Sequence, residues 1–97
     1  MKGHSVRVSL VIKVPGSDDE IVVLDYLNEP GIHDNLFRIR PDRQEVWRVT
    51  APGPDPDAWT DAELDDGEVV AWSWSKLIVH LDLATGEELS REHVDRS

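Results

Sequence analysis

Residues 68–89 read EVVAWSWSKLIVHLDLATGEEL, and this stretch decides the fold class of the chain. Apolar side chains dominate 68–74 and alternate with polar ones over 77–82, with only two residues between the two runs. Residues 83–86 (LATG) then supply turn residues before a further strand at 87–93. The stretch therefore predicts three consecutive antiparallel strands joined by tight turns.

The same pattern of short strands and turns extends toward the N terminus. Residues 5–14 (SVRVSLVIKV) alternate strictly, which predicts a half-buried strand. Its apolar face would consist of Val6, Val8, Leu10, Ile12 and Val14. A Pro-Gly-Ser-Asp-Asp turn leads to a return strand at 20–26. Further strands are predicted at 36–40 and 45–50, on either side of a Pro-Asp-Arg-Gln turn.

The segment at 58–64 has two interpretations. Asp57 would cap a helix over 57–66, where Ala, Glu and Leu favour helical structure. The Asp66-Gly67 pair is a strong hairpin signal, and a strand follows it directly. We therefore expect a strand at 58–64.

Together these segments predict a single all-β domain over residues 1–97. We expect about eight antiparallel strands in two blade-like meander units, 5–50 and 58–93, packed as a sandwich or partly open barrel. The connector at 51–57 contains three prolines, which fix φ and remove backbone donors, so it cannot form regular structure. Neither unit alone would have a core of its own.

The composition limits the classes of function. The chain has 97 residues and no Cys, which excludes a disulfide scaffold and thiolate chemistry and suits a reducing compartment. No stretch approaches the roughly 20 apolar residues of a membrane span, so we expect a soluble, cytoplasmic protein. The net charge of −10 disfavours nucleic-acid binding. It is typical either of a soluble surface or of a protein that attracts a basic partner.

An internal repeat underlies the two units. Residues 37–47 and 79–89 align without gaps, 42 positions apart. In this alignment the matched pairs are Ile39 with Leu81, Glu45 with Glu87, and Trp47 with Leu89. A spacing near 40 residues with four short strands in each period is typical of a propeller blade.

The segments NLFRIRPDRQEVWRV (35–49) and EVVAWSWSKLIVHLDLATGEELSRE (68–92) resemble blades of quinoprotein-type (PQQ-like) β-propellers. Short bacterial proteins with an AWSWS-type strand share the pattern. The resemblance rests on Leu81-Asp82 followed by Thr85-Gly86 and an apolar strand. The first unit departs from it, because Arg40 stands where the Asp would be and Gln44 where the Gly would be.

The resemblance implies a structural motif, and it does not imply a quinone site. Two blades cannot close a ring, so we expect no cofactor from this chain. An open pair leaves sheet edges and an apolar face to be covered. We expect a self-contained sandwich or barrel that dimerises, with a ring of several chains as the alternative.

Six residues are candidates for a binding site, and each also has a purely structural interpretation. His33, Asp34 and Asn35 fall in a predicted loop, where loop function competes with ordinary turn hydrogen bonds. Arg38 and Arg40 belong to the basic concentration around the first unit's turn and could instead pair with nearby acids. Trp74 could be a ligand contact or a core residue. We expect Trp72 in the core.

The residues favour a protein that binds rather than catalyses. The acidic run over 55–68 does not match a calcium loop, because Asp66 stands where Gly is needed and Trp72 where a bidentate Glu is needed. We expect no metal site and no enzyme. Three hypotheses remain: a non-catalytic protein-interaction or assembly module, an acidic immunity or inhibitor-type protein with a basic partner, and a small-ligand-binding protein. The expected partner is a second copy or another protein, without nucleic acid or membrane.

Overall fold

The computed structural model describes residues 8–25, 34–53 and 57–93. The strands are β1 (Val8–Lys13), β2 (Glu20–Leu24), β3 (Leu36–Ile39), β4 (Glu45–Val49), β5 (Trp59–Asp65), β6 (Glu68–Ser73), β7 (Leu77–Asp82) and β8 (Glu88–His93). They form two antiparallel meanders, a first sheet of order β1-β2-β3-β4 and a second of order β5-β6-β7-β8. The all-β prediction is confirmed. No closed barrel forms within the described ranges.

The two sheets pack against each other through one apolar cluster. The first sheet contributes Ile21, Val23, Leu36 and Trp47, which are all buried. The second sheet contributes Trp59, Ala62, Val69, Ala71, Val79 and Leu81. These residues alternate along their strands, so each sheet buries one face and turns the other to solvent, as period-two patterning requires.

The segment after the connector forms a strand, as expected, and not a helix. β5 pairs along its length with β6, from Trp59 opposite Ser73 to Asp65 opposite Glu68. Asp66 and Gly67 form the hairpin turn, both with positive φ. The turn signal was the better guide here because a two-residue loop forces the flanking residues to pair.

The face predicted for the first strand is wrong at its N-terminal end. Val8 pairs with Leu24 and Leu10 with Val23, so the register shifts between them. Because a bulge turns every residue beyond it to the other side of the sheet, Val8 lies on the solvent face and is 53% exposed. Val6 lies outside the described residues.

Trp72 does not belong to the core, contrary to expectation. Its partners in register are Asp61 and Ile78, which places all three on the solvent face of the second sheet. Its side chain is half-buried there. Trp59 takes the core position instead and is 1% exposed. Strand alternation explains the difference, since the inward positions of β6 belong to smaller residues.

The internal repeat is present in the structure, with one correction to its alignment. The register shift between Arg38 and Ile39 on β3 recurs between His80 and Leu81 on β7, 42 positions later. The paired residues Ile39 and Glu45 have five residues between them, whereas the equivalent pair Leu81 and Glu88 has six, so the second turn is one residue longer. The spacing from β4 to β8 is therefore 43 residues.

Two ion pairs support this corrected alignment. Arg48 pairs with Glu45 on β4, and Arg91 pairs with Glu88 at the matching positions of β8. The counterpart of Glu45 is thus Glu88 rather than Glu87. By the same spacing, the counterpart of Trp47 is Ser90 and not Leu89.

Candidate functional site

The turn between β7 and β8 docks on the first sheet through Trp47. The indole Nε1 of Trp47 donates to the carbonyl oxygen of Leu83 at 2.9 Å. Gly86 lies flat against the indole ring, since a Cβ at this position would come within 2.6 Å of it. Asp82 closes the turn by accepting hydrogen bonds from the backbone N–H groups of Ala84 and Thr85.

Arg38 takes part in the same junction. Its Nε donates to Asp19 at 2.9 Å, and a second guanidinium N–H donates to the Leu83 carbonyl at 3.0 Å. The side chain is largely buried, at 15% exposed. Arg40, in contrast, is exposed and lies 3.8 Å from the carboxylate of Asp42. Arg38 therefore connects the sheets, while Arg40 belongs to the turn after β3.

Asn35 joins the two sheets at the other end of β3. Its amide nitrogen donates to the carbonyl oxygens of Leu24 and Trp59, and its amide oxygen accepts from the Trp59 N–H at 2.8 Å. Asn35 is fully buried. The neighbouring Asp34 accepts a hydrogen bond from Arg48 through its carbonyl oxygen. His33 lies outside the described residues.

Trp74 is an exposed residue, with 59% of its surface accessible. Its backbone N–H donates to the Ala58 carbonyl at 2.8 Å. Trp74 and Asn35 thus both attach to the chain at 58–59, whereas Arg38 and Arg40 lie at the opposite end of β3. The described members of the predicted site therefore divide between two ends of the molecule.

Two solvent-facing sheet surfaces are the alternative location for a site. The neutral face is the outer side of the first sheet and consists of Val8, Val11, Lys13, Glu20, Val22, Leu24, Phe37, Ile39, Glu45 and Arg48. The acidic face is the outer side of the second sheet and consists of Asp61, Glu63, Asp65, Glu68, Val70, Trp72, Ile78, His80, Asp82, Ser90 and Glu92.

The neutral face carries an apolar row that continues to solvent. Val11, Val22 and Phe37 pair in succession across three strands. Val22 and Phe37 are buried, at 6% and 7% exposed, whereas Val11 is 47% exposed. The guanidinium of Arg48 lies 4.4 Å above the Phe37 ring, a cation–π arrangement that covers the aromatic face.

The charges of the neutral face balance. Among the strand residues of this face, Arg48 forms an ion pair with Glu45, and Lys13 with Glu20. The carboxylate of Asp34, beside the face, lies 3.9 Å from Arg48 as well. The hydrogen bond between Arg48 and Glu45 lowers the pKa of the Glu45 carboxyl and raises the pKa of the Arg48 guanidinium. The strands of this face therefore carry two basic and two acidic side chains.

The acidic face carries six carboxylates around a small apolar centre. His80 lies among them, with Nδ1 3.0 Å from Glu68 and Nε2 3.2 Å from Glu92. Both carboxylates accept hydrogen bonds, so the imidazole satisfies both only as the doubly protonated cation. The hydrogen bond to Glu68, with a smaller contribution from Glu92, raises the pKa of His80 above its usual 6.5.

A cleft of about 280 Å³ opens between the sheets, next to the edge strands β4 and β8. It is lined by Arg48, Val49, Thr50, Pro52, Trp59, Val79, Leu81, Gly86 and Glu88. The charged groups at its rim already hold partners within their own strands, Glu45 and Arg91. None of the described residues predicted as binding residues lines the cleft.

Comparisons with protein-family models, with curated proteins and with solved structures give no match. Among the described residues, no group of three or more His, Asp and Glu side chains is arranged to hold a metal ion. Across the same ranges, no helix is long and apolar enough to cross a membrane.

Sequence reasoning missed both faces as surfaces, although part of the signal was present. The alternation over β6 and β7 already separates Val69, Ala71 and Val79 from the side that carries Glu68, Val70 and His80. The alternation does not show which of the two sides faces the core, because both sides contain apolar residues. The bulge that moves Val8 to the neutral face leaves no mark in the composition.

Proposed function

We propose that this chain is a non-catalytic protein-interaction module that binds another polypeptide on the neutral face. The observation that carries the proposal is the exposure of Val8 and Val11 on the edge strand β1, at 53% and 47%, next to the buried Val22 and Phe37. Exposed apolar surface with a charged rim is typical of protein-binding sites.

The internal repeat supports this choice of surface. The row Val11, Val22, Phe37 and Arg48 in the first unit corresponds to the row Ala62, Ala71, Val79 and Arg91 in the second. In the second unit the apolar members of that row are buried against the first sheet. The equivalent row of the first unit is also apolar at its first three positions, but it lies on the outer side of its sheet.

The buried polar groups support binding rather than catalysis. Asn35 and Asp57 hold neighbouring backbone, since Asp57 accepts from the N–H groups of Gly53 and Ser75 and from the Ser75 hydroxyl. The hydroxyl of Ser73 lies 2.9 Å from that of Ser75. Among the described residues every buried side-chain N and O atom has a hydrogen-bond partner. These groups serve the fold.

The same proposal includes the identity of the two units as propeller-type blades. Each unit is a four-stranded meander with a register shift in its first and third strand pairs. The first strand of the second unit, β5, lies close to β1 and β2. Matching meanders that approach each other through their first strands support this assignment.

Photo-cross-linking in cells of the native host tests the neutral face. A photoreactive phenylalanine analogue at position 11 should form a covalent adduct with another polypeptide. Position 89 is the matched control, because Leu89 is similarly exposed, at 50%, but lies on β8. Adducts at position 89 with none at position 11 would contradict the proposal.

A second candidate function is the binding of a basic protein on the acidic face. Its six carboxylates surround Val70, Trp72 and Ile78, a combination that attracts a cationic surface and then buries apolar contacts. The same photoreactive analogue at position 63 tests it. An adduct at position 63 that forms in a host lysate at low salt, but not when the lysate contains roughly 0.5 M salt during irradiation, would support this function, because salt screens surface charge pairs.

A further inference from the structure

We propose that the occupant of the neutral face is a second copy of this chain, bound about a two-fold axis as an isologous homodimer. The inference rests on the proposed function, because it names the partner of the same surface. Three observations carry it: the asymmetry of the repeat, the charges of the face, and the exposure of Val8 and Val11 on its edge strand.

The repeat leaves two different surfaces without a partner in the chain. Because the two units are repeats, each sheet has two kinds of face. One kind corresponds to the core-facing side of the first sheet, and the other kind corresponds to the core-facing side of the second sheet. The core of the single chain uses one face of each kind, and the neutral face and the acidic face are the two faces that lie outside it. A copy could therefore join head to tail, acidic face on neutral face, or head to head, neutral face on neutral face.

The substitutions between the units disfavour the head-to-tail arrangement. The core-facing residues of the first unit correspond to acidic-face residues of the second, at spacings of 51 residues for β1 and β5 and 43 for β4 and β8. The replacements are Leu10 by Asp61, Ile12 by Glu63, Trp47 by Ser90 and Val49 by Glu92. A head-to-tail copy would bury three carboxylates where the first unit has aliphatic side chains.

The turn of the first unit that would receive a tryptophan from a head-to-tail copy also differs from its counterpart in the second unit. Gly86, whose lack of a side chain admits Trp47, has a positive φ, and the left-handed position in the shorter turn of the first unit belongs to Arg43. The surfaces that a head-to-tail copy would use therefore lack both residues of this contact, the tryptophan and the glycine.

Charge favours the head-to-head arrangement. The chain carries a net charge of −10, so two copies repel one another at long range. The neutral face is self-complementary, because a two-fold axis can bring Lys13 and Arg48 of one copy toward Glu20 and Glu45 of the other. The acidic faces then point away from each other on the outside of the dimer.

The size of the face sets the expected strength. Four strands about 4.8 Å apart and about five residues long make a face of roughly 300 Å². This is below the 800 Å² or so that each partner buries in a standard interface. We therefore expect a weak, reversible dimer.

Sedimentation equilibrium on the purified full chain tests the proposal. The mass should rise with concentration from one chain of 11.0 kDa to two. Val11→Asp should weaken the dimer about tenfold or more, because it places a carboxylate in an apolar row. Leu89→Asp, on an equally exposed residue of β8, should leave the dimer unchanged. Thermal unfolding of both variants, each diluted to the monomer, verifies that they remain folded.

A charge-reversal experiment supplies an independent readout. Lys13→Glu gives each neutral face a net charge of −2, and Glu20→Lys gives it +2, so each variant alone should be monomeric. An equimolar mixture of the two should form a heterodimer, and the double variant Lys13→Glu/Glu20→Lys should dimerise again. Lys13 and Glu20 are both accessible, with side chains 79% and 36% exposed.

Each result separates the inference from the function on which it rests. A monomer up to about 1 mM, together with a host-protein adduct at position 11, would overturn the homodimer and leave the interaction module standing. Masses beyond two chains, or loss of the dimer in Leu89→Asp with retention in Val11→Asp, would overturn the two-fold arrangement. Absence of any adduct at position 11 would overturn both.

Discussion

Trp47 of the first sheet donates its indole N–H to the main-chain oxygen of Leu83 in the second, with 2.9 Å between Nε1 and O. The same ring rests on Gly86, three residues further along the turn. This contact closes one end of the interface between the sheets, and Asn35 closes the other. Both ends lead to measurable predictions.

We expect Gly86→Ala to destabilise the fold by about 2–5 kcal/mol. The new Cβ would come within 2.6 Å of the Trp47 ring, and φ at this position is +79°. Left-handed backbone alone costs an L-residue about 1–2 kcal/mol, and the clash adds the rest. Gly67→Ala is the matched control, since φ is +83° there but no atom lies within 4 Å. Equal losses in urea unfolding of the two variants would contradict the packing of Trp47 on Gly86.

Asn35→Ala should cost about 3 kcal/mol or more, because it leaves buried backbone groups of Leu24 and Trp59 without partners. Asn35→Asp should be at least as damaging, since a carboxylate cannot donate to the two carbonyl oxygens. Asp34→Ala provides the comparison and should change the unfolding free energy by about 1 kcal/mol or less. Chemical denaturation measures all three. A small loss for Asn35→Ala would show that the sheets do not depend on this contact.

The pKa of His80 should be above 6.5 in the folded protein, as followed by NMR titration of its ring protons. Because folding raises this pKa, the stabilisation by His80 is complete below pH 6.5 and is lost as the pH rises through the folded-state value. Glu68→Gln should lower the pKa of His80 more than Glu92→Gln does, since the hydrogen bond to Glu68 is the larger cause. A midpoint at or below 6.5 would contradict the geometry of the two carboxylates.

Trp59→Ala should destabilise the protein by about 3–5 kcal/mol, as expected for loss of a buried indole. Its ring N–H also donates to the Val49 carbonyl at 3.1 Å. Trp72→Ala should cost clearly less, because its side chain is half-buried on the acidic face. Thermal unfolding of the two variants under one set of conditions measures the difference. If Trp72→Ala were the more damaging, Trp72 would belong to the core after all.

The order and number of strands could be predicted because each strand keeps its own period-two pattern and its own turn residues. The turns Asp66-Gly67 and Thr85-Gly86 mark strand ends locally, without help from the rest of the chain. The bulges in β1 and β5 could not be predicted in this way. An extra residue leaves the apolar content unchanged but moves Val8 from one face to the other.

The roles of the candidate residues depended on contacts that sequence patterns do not contain. Asn35 has the composition of a turn residue, but it acts on the backbone of Trp59, which is 24 positions later. Arg38 binds the carbonyl oxygen of Leu83, 45 positions later. The gapless alignment of the two units failed for a related reason, because one added residue in the second turn is invisible when Glu87 and Glu88 are identical.

Among the strands that the structure describes, neither sheet borrows one from the other, and the chain passes from the first sheet to the second once, between Val49 and Trp59. The apolar core is therefore also a protein–protein interface between two sequence-contiguous halves. If the chain were cleaved within that crossing, the two halves could reach the folded state only by binding to each other. Two fragments that end near it, each without a core of its own, should reassemble on mixing and form a split reporter scaffold whose affinity measures the contact between Trp47 and the turn at 83–86.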